Sequence, residues 1–339
     1  MTGEGMTGAT VEAPRSTSAA PRARRELPAL ELLALALVAA GVLRPYLSGL
    51  FDDPAVQTWA TIFVSITIQA LPFLVLGVVI SGLIAAFVSP EWFARVLPRR
   101  VGLSVPAAGL AGVVLPGCEC GSVPIAGRLV SRGVPPAAAF AFLLSAPAIN
   151  PVVMVATAVA FPGRPEVVAA RFIASLVTAV VVGWLWVAFG REPWITRRAT
   201  AAREGAGRWE VFRTSAQHDF LHAGGFLVVG GITAATLNVV IPESVLDSLA
   251  GSGVVAVLTL SLLAVMLAIC SEADAFVAAS LTNFSLTSRL AFMTVGPMVD
   301  VKLIALQAGT FGRSFALRFA PATFVVAVLT SVAVGSWLL

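Results

Sequence analysis

The sequence predicts an all-α integral membrane protein, in which one N-terminal helix precedes two inverted repeats, each with three spanning helices and one re-entrant hairpin. Two observations predict the membrane class. Of the 339 residues, 58% are hydrophobic and 12% are charged, whereas charged residues make up about 25% of a soluble domain. Eight apolar runs also approach or exceed the length that a bilayer requires, about 20 residues. A duplicated polar motif predicts the repeats.

The apolar runs follow a polar N-terminal tail. Residues 1–27 are rich in Ala, Gly, Thr, Ser, Pro and Arg, a composition that predicts a disordered cytoplasmic segment. The runs cover residues 28–46, 62–88, 134–161, 167–190, 220–241, 254–269, 290–311 and 314–339. The net charge of +4 does not indicate nucleic-acid binding, because no basic stretch is interleaved with aromatic residues on a soluble domain.

Two polar segments interrupt these runs and resemble each other. Residues 116–124 read PGCECGSVP and precede APAINP, whereas residues 270–274 read CSEAD and precede GPMVD. Cys118 and Cys270 are 152 residues apart (270 − 118), and Pro147 and Pro297 are 150 apart (297 − 147). Duplicated polar segments broken by Gly and Pro, at corresponding places in two hydrophobic halves, are the best sequence indication of a transporter's binding site.

Arginine placement predicts how the chain threads the bilayer, because short cytoplasmic loops carry the excess of Lys and Arg. If residues 103–132 crossed the bilayer fully, the arginine-rich loop 191–213 would face the outside. A hairpin that enters, turns at Pro116–Gly121 and returns keeps this loop inside. The second half then begins on the opposite side, with its own hairpin over residues 254–283. The two halves are therefore predicted to be inverted.

This threading gives five predicted regions in a protein of the inner (plasma) membrane with a cytoplasmic N-terminus. They are the tail (1–27), an N-terminal transmembrane helix (28–50), the first permease repeat (56–190), a basic cytoplasmic loop (191–217) and the second permease repeat (218–339).

Three cysteines are candidate substrate ligands. Cys118 and Cys120 flank Glu119 in the first motif, and Cys270 lies in the second. Thiolates are soft ligands that select soft ions such as Cu(I) and Zn, and by extension trivalent arsenic. Residues two apart converge on one centre in a turn, but diverge by roughly 200° on a continuous helix. Capture by the first pair therefore depends on the hairpin, and the alternative is that the thiols only pack as small hydrophobic groups.

Five ionisable residues are predicted to lie deep in the membrane. They are Glu119, Glu272, Asp274, Asp300 and Lys302. Such groups are costly in the bilayer and mark ion sites or proton relays, so we assign them to proton coupling. The alternative is a structural ion pair around Lys302. Because residues two apart do not face each other on a helix, Glu272 or Asp274 is the expected partner of Lys302, rather than Asp300.

Asn150 lies between Pro147 and Pro151 at the predicted helix break. Its side chain can both donate and accept hydrogen bonds. It is a candidate either for substrate binding or for capping the broken helix, and the sequence leaves both roles open.

The residues 115–157 carry a resemblance to a known family. The motif PGCECGSVP at 116–124, Gly133 and APAINP at 146–151 resemble the ArsP/YraQ family of predicted permeases. Characterised members export trivalent organoarsenicals, and cysteine thiols are proposed to contact the arsenic. Carried over by motif, the resemblance implies that Cys118 and Cys120, and Cys270 to a lesser extent, contact the solute.

The sequence therefore predicts a permease that is not an enzyme, specifically a proton-coupled secondary carrier exporting a small thiophilic solute such as a trivalent organoarsenical. It predicts no cofactor and no nucleic-acid partner. Its partners are the lipid bilayer and a small-molecule or ion substrate, and an accessory subunit stays open. No nucleotide-binding loop of the GxxxxGK[ST] type occurs, which argues against ATP hydrolysis by this chain.

Three alternatives remain at this stage. The first is a carrier of a soft metal cation such as zinc. The second is a membrane-embedded enzyme, either a thiol oxidoreductase using Cys118 and Cys120 or a lipid-headgroup hydrolase using Glu119, Glu272 and Asp274. The third is a passive subunit of a larger membrane complex.

Overall fold

The computed structural model describes residues 53–89, 98, 100–114, 119–190, 207–240 and 253–339. The predicted tail and the predicted N-terminal transmembrane helix lie outside the described residues, as do Cys118 and residues 191–206 of the basic loop. The described residues form twelve α-helices and no β-strand, which confirms the all-α class for this part of the chain.

Six helices belong to each half of the described chain. Those of the first half are α1 (Pro54–Phe87), α2 (Val101–Ala111), α3 (Glu119–Ser131), α4 (Pro136–Ile149), α5 (Pro151–Ala160) and α6 (Pro165–Phe189). Those of the second half are α7 (Arg208–Val240), α8 (Gly253–Leu267), α9 (Asp274–Ser280), α10 (Leu286–Val295), α11 (Val301–Phe311) and α12 (Arg313–Leu338). Because α7 begins at Arg208, the end of the predicted loop 191–217 is helical.

Proline residues mark several helix starts. Pro136, Pro151 and Pro165 are the first residues of α4, α5 and α6. Proline suits this position because its fixed φ fits the helix and its missing N–H has no partner in the first turn. At the junction of α11 and α12, Gly312 has a φ of 105°, a conformation that glycine adopts without steric cost.

Five helical segments are long and apolar enough to cross a membrane. They are α1, the α4–α5 segment, α6, α7 up to Leu237, and α12. The helices α2, α8 and α11 are apolar but only 10–17 residues long. Large apolar side chains on the long helices face outward, including Ile68 on α1 and Leu329 on α12. Helices that satisfy their own backbone hydrogen bonds and expose apolar side chains are what a bilayer requires.

Helix breaks fall at the duplicated motifs. In the first half, α2 ends at Ala111 and α3 begins at Glu119; in the second half, α8 ends at Leu267 and α9 begins at Asp274. Further along each half, α4 gives way to α5 at Asn150, and α10 gives way to α11 across residues 296–300. The run at 290–311, predicted to span the bilayer as one helix, is therefore divided in two.

Glu119, Cys120 and Gly121, at the end of the predicted turn Pro116–Gly121, are helical because α3 begins at Glu119, and residues 116–118 lie outside the described residues. Gly121 serves a different purpose, which is close helix packing. A Cβ atom added to Gly77 on α1 would collide with the Cα and carbonyl atoms of Gly121. Small residues at such crossings let membrane helices approach closely.

The two halves repeat the same order of helices. Corresponding helices begin between 148 residues apart (313 − 165, for α6 and α12) and 155 residues apart (274 − 119, for α3 and α9). Similar packing also recurs, because α2 packs on α4 as α8 packs on α10, and α4 packs on α6 as α10 packs on α12. A Cβ added to Gly183 would meet Ala137, and one added to Gly335 would meet Thr287, so the α4–α6 contact and its counterpart use corresponding residues.

Contacts between the halves form the centre of the molecule. The pairs α1–α7 and α6–α12 join corresponding helices, and α3 packs on α11 as α9 packs on α5. One side of this centre is an aromatic cluster from α4, α6, α11 and α12, whose members are Phe140, Trp186, Phe311, Phe315 and Phe319. Residues at the helix breaks are buried, including Glu119, Asn150 and Asp300, which are 0% exposed.

Candidate functional site

A buried lysine joins the two halves at the helix breaks. The Nζ atom of Lys302, on α11, lies 2.5 Å from Oε1 of Glu119, the first residue of α3. Lys302 also donates a hydrogen bond to the carbonyl oxygen of Ala268 at 2.9 Å, and its Nζ lies 3.6 Å from Oδ2 of Asp300. The Glu119 side chain is fully buried and that of Lys302 is 3% exposed. A buried charge needs such partners to offset its desolvation.

A second buried ion pair also connects the halves. Arg171, on α6, donates from Nη2 to Asp274 at 2.8 Å and to the carbonyl oxygen of Ser271 at 3.1 Å. Its Nη1 donates to Oγ1 of Thr157 at 2.8 Å. Asp274 is the first residue of α9, as Glu119 is of α3. Helices α3 and α9 therefore each begin with a carboxylate that pairs with a cation from the opposite half.

Ser271 connects these two ion pairs into one network. Its hydroxyl donates to Oε2 of Glu119 at 3.1 Å, while its carbonyl accepts from Arg171 at 3.1 Å. The residue is fully buried. The segment between α8 and α9 is thus held by Lys302 at Ala268 and by Arg171 at Ser271.

Asn150 and Asp300 occupy equivalent positions and both cap a helix. Oδ1 of Asn150 accepts from the backbone N–H of Val153 at 3.0 Å, which caps α5. Oδ1 of Asp300 accepts from the N–H of Leu303 at 2.6 Å, which caps α11. Of the two roles left open for Asn150, the cap is therefore present in the structure, and its contact with a substrate stays a prediction.

The prediction that Lys302 pairs with Glu272 or Asp274 is wrong. Lys302 pairs with Glu119 and lies near Asp300, rather than pairing with Glu272 or Asp274. The reason is that Asp300 is not helical: it is the N-cap, with extended φ and ψ of −139° and 168°. The rule that residues two apart diverge holds only within a helix.

Two of the three candidate thiols lie beside this network. Cys120, the second residue of α3, is fully buried, and Cys270 is 3% exposed. Cys120 directly follows Glu119 and Cys270 directly precedes Ser271, and both residues belong to one buried cluster to which both halves contribute. Cys118 lies outside the described residues.

Glu272 differs from Asp274 and Asp300, the other two candidate carboxylates of the second half. It is partly exposed, and its Oε1 atom has no hydrogen-bond partner among the described residues. It lies between Ser271 and Asp274, both of which belong to the network. Its predicted role in proton coupling stays a prediction.

Arg171 is the residue of this buried network that the sequence analysis does not single out. Alignment of the two halves places Arg171 opposite Arg318, 147 residues later (318 − 171). This match supports the duplication but predicts no site role for Arg171. In the structure Arg171 is fully buried and Arg318 is exposed. An arginine well inside an apolar run was the available signal, since such residues almost always face the interior of the helix bundle.

A second polar cluster lies away from the network. Nη2 of Arg128, near the end of α3, lies 2.8 Å from Oδ2 of Asp219 on α7. The hydroxyl of Ser81 on α1 donates to the same oxygen at 2.7 Å. The cluster therefore ties α1 and α3 to α7. Across the parts of the chain that the structure describes, no group of three His, Cys, Asp or Glu residues could hold a metal ion.

Buried ionisable groups at breaks in apolar helices are typical of membrane transport proteins, and comparison with known proteins gives the family. A family model described as a predicted permease, ArsP_1, matches residues 56–336. The chain belongs to this family, which confirms the resemblance seen in the motif at 116–124.

Two curated relatives match over most of their length. The UPF0718 protein YcgR of Bacillus subtilis is 35% identical over 276 residues, which are 79% of this chain and 93% of the relative. A Streptococcus mutans protein named "Putative two-component membrane permease complex subunit" is 32% identical over 282 residues, 81% of this chain and 94% of the relative. No solved structure matches. The chain is a multi-pass membrane protein of a permease family.

Proposed function

We propose that this chain is a proton-driven secondary carrier that exports a small thiophilic solute, such as a trivalent organoarsenical. The observation that carries the proposal is that Cys120 and Cys270, one from each half, belong to one buried cluster and adjoin residues of the ion-paired network at the helix breaks. Soft thiol ligands favour soft centres such as trivalent arsenic. A carrier also needs its site between two parts that move against each other, and the network joins the two halves through the pairs Lys302–Glu119 and Arg171–Asp274.

The inverted arrangement of the halves is part of the proposal. In an arrangement with two-fold symmetry, residues on the axis contact their own counterparts. Two hydrogen bonds join residues 152 positions apart, which is also the separation of Cys118 and Cys270. They are the bond from Ser271 to Glu119 and the bond between Thr178 and Thr330. These contacts support an axis through the centre, with α2–α3 and α8–α9 as the two re-entrant hairpins.

Proton coupling is assigned to the buried carboxylates. Glu119, Asp274 and Asp300 are almost fully buried, and ionisable groups at such depth mark ion or proton pathways. Protonation of Glu119 would release Lys302 from its shortest contact, and protonation of Asp274 would weaken its pair with Arg171. Each event would loosen a contact between the halves, which is the change that alternating access requires.

Uptake into everted membrane vesicles tests the proposal. Export from the cell appears as uptake into such vesicles, so we expect vesicles containing the chain to accumulate methylarsenite when a pH gradient is imposed. Collapse of the gradient should stop net accumulation. The matched control is Cys120→Ser, which keeps the size of the side chain and removes the soft ligand. Equal uptake in vesicles with and without the chain would contradict the proposed substrate.

The same vesicles discriminate between the proposed solute and a soft metal cation. Thiolates also bind zinc, so accumulation of zinc without methylarsenite would favour the metal carrier. An accessory subunit is a separate matter, supported by the name of the Streptococcus mutans relative. Purification of the tagged chain from its native membrane tests it, because a partner present in equal amount would indicate a complex.

A further inference from the structure

Three oxygen atoms surround the ammonium group of Lys302 in the interior of the protein. They are Oε1 of Glu119 at 2.5 Å, the carbonyl oxygen of Ala268 at 2.9 Å and Oδ2 of Asp300 at 3.6 Å. All three residues are at most 1% exposed. We call these three oxygen atoms the oxygen cradle. An ammonium group is a compact charge with three donors, so one cation with three oxygen partners occupies this place.

Each oxygen of the cradle comes from a helix end. Ala268 directly follows α8, where the helix dipole and unpaired carbonyl groups favour a cation. Ala268 also has a φ of 49°, the only positive φ of a residue other than glycine among those described. Asp300 uses Oδ1 to cap α11, which leaves Oδ2 for the cation. Glu119 begins α3. Backbone carbonyls and helix ends of broken helices are the groups with which secondary transporters hold free cations.

The backbone at Lys302 is fixed by close packing against α7. A Cβ atom added to Gly230 would lie 2.6 Å from the Cα of Lys302, so α7 and α11 touch at this point through backbone atoms. The ammonium group is therefore presented to the cradle from a rigid position. Lys302 is also the single lysine of the sequence.

We propose that the oxygen cradle is a cation-binding site for which Lys302 supplies a covalently attached cation in place of a free one. Two consequences follow. In the native chain the ammonium group of Lys302 occupies the cradle, so a free cation should not bind there. Removal of the ammonium group by Lys302→Ala leaves two carboxylates and a carbonyl oxygen, which should then bind a small free monovalent cation, either ammonium or sodium. The inference concerns binding and holds whichever solute the chain carries.

Thermal unfolding of the purified full chain in detergent tests this proposal. The melting temperature Tm of the native chain and of Lys302→Ala is measured against NH4Cl, NaCl and choline chloride at equal ionic strength. A ligand that binds only the folded state raises Tm in a saturable manner. At a hundredfold excess over Kd we expect a rise on the order of 5 °C for Lys302→Ala in NH4Cl or NaCl relative to choline chloride. We expect no such difference for the native chain.

A double variant provides the control for folding. Glu119→Gln combined with Lys302→Met removes both charges of the closest pair and leaves Asp300 as the one charge of the cradle. Because Asp300 keeps its capping hydrogen bond from the N–H of Leu303, the double variant should fold without a cation and show the same Tm in all three salts. If Lys302→Ala is unfolded in every salt while the double variant folds, the cradle does not accept a free cation and the proposal is wrong. A Tm of Lys302→Ala that is equal in the three salts, or an equal rise in the native chain, also overturns it.

Discussion

Replacement of Arg171 by methionine tests whether the second ion pair holds the halves together. Arg171 donates to both Asp274 and the carbonyl oxygen of Ser271. Removal of one member of a buried ion pair costs about 3–5 kcal/mol, because the other charge is left buried without a partner. We therefore expect Arg171→Met to lower the free energy of unfolding by about that amount, which corresponds to a fall in Tm on the order of 10 °C.

A double variant separates the ion pair from the remaining hydrogen bonds. Arg171→Met combined with Asp274→Leu removes both charges, and an apolar replacement of a buried pair is often neutral. Thr157 keeps its hydrogen bond to the carbonyl of Val153, whereas the carbonyl of Ser271 loses the donor that Arg171 supplied. The cost left in the double variant is therefore that of one unsatisfied acceptor, about 1–3 kcal/mol.

The assay is thermal unfolding in detergent micelles, supported by the yield of folded protein in the membrane. The control is Arg318→Met, because Arg318 is exposed on α12 and surface substitutions stay within about 0.5 kcal/mol. A single variant within about 1 kcal/mol of the native chain, or a double variant no more stable than the single one, would refute the assigned role of Arg171.

Three further predictions concern packing, backbone strain and topology. Gly77→Ala should destabilise the chain by about 1–3 kcal/mol because its Cβ meets the backbone of Gly121, whereas the control Gly102→Ala, with nothing within 4 Å, should be neutral in the same unfolding assay. Ala268→Gly should raise stability by up to about 1 kcal/mol because it relieves the positive φ; a loss of stability would contradict this reason. A cysteine introduced at position 203 should react with a membrane-impermeant maleimide only from the cytoplasmic side, and labelling from outside would exclude the inverted topology.

The sequence predicts the membrane class, the repeat and the places where its helices break. Composition and apolar runs predict the membrane class. Clusters of Gly, Pro and charged residues are rare in such runs, so the two that occur here predict the repeat and the helix breaks. The partners of Lys302 could not be predicted in this way, because its pairing with Glu119 joins residues 183 positions apart (302 − 119). The rule that residues two apart diverge on a helix predicts that Asp300 does not contact Lys302. The rule does not apply, because Asp300 is the N-cap and is not helical.

Arg171 shows a second limit of pattern reasoning. Arg171 aligns in sequence with Arg318, which predicts similar surroundings for the two residues. Their burial differs, because it depends on which side of α6 and of α12 faces the interior. That orientation follows from tertiary packing, and a difference of one position in helix register changes it by about 100°.

Protection of the thiols by the solute tests most directly whether Cys120 and Cys270 belong to one binding site. The purified chain is treated with N-ethylmaleimide with and without methylarsenite, and modification of each cysteine is followed over time by peptide mass spectrometry. We expect methylarsenite to slow modification of Cys120 and Cys270 together, with the same dependence on concentration and one arsenic bound per chain. Modification of both thiols at rates unchanged by methylarsenite, or protection of one thiol alone, would contradict a shared site between the two halves.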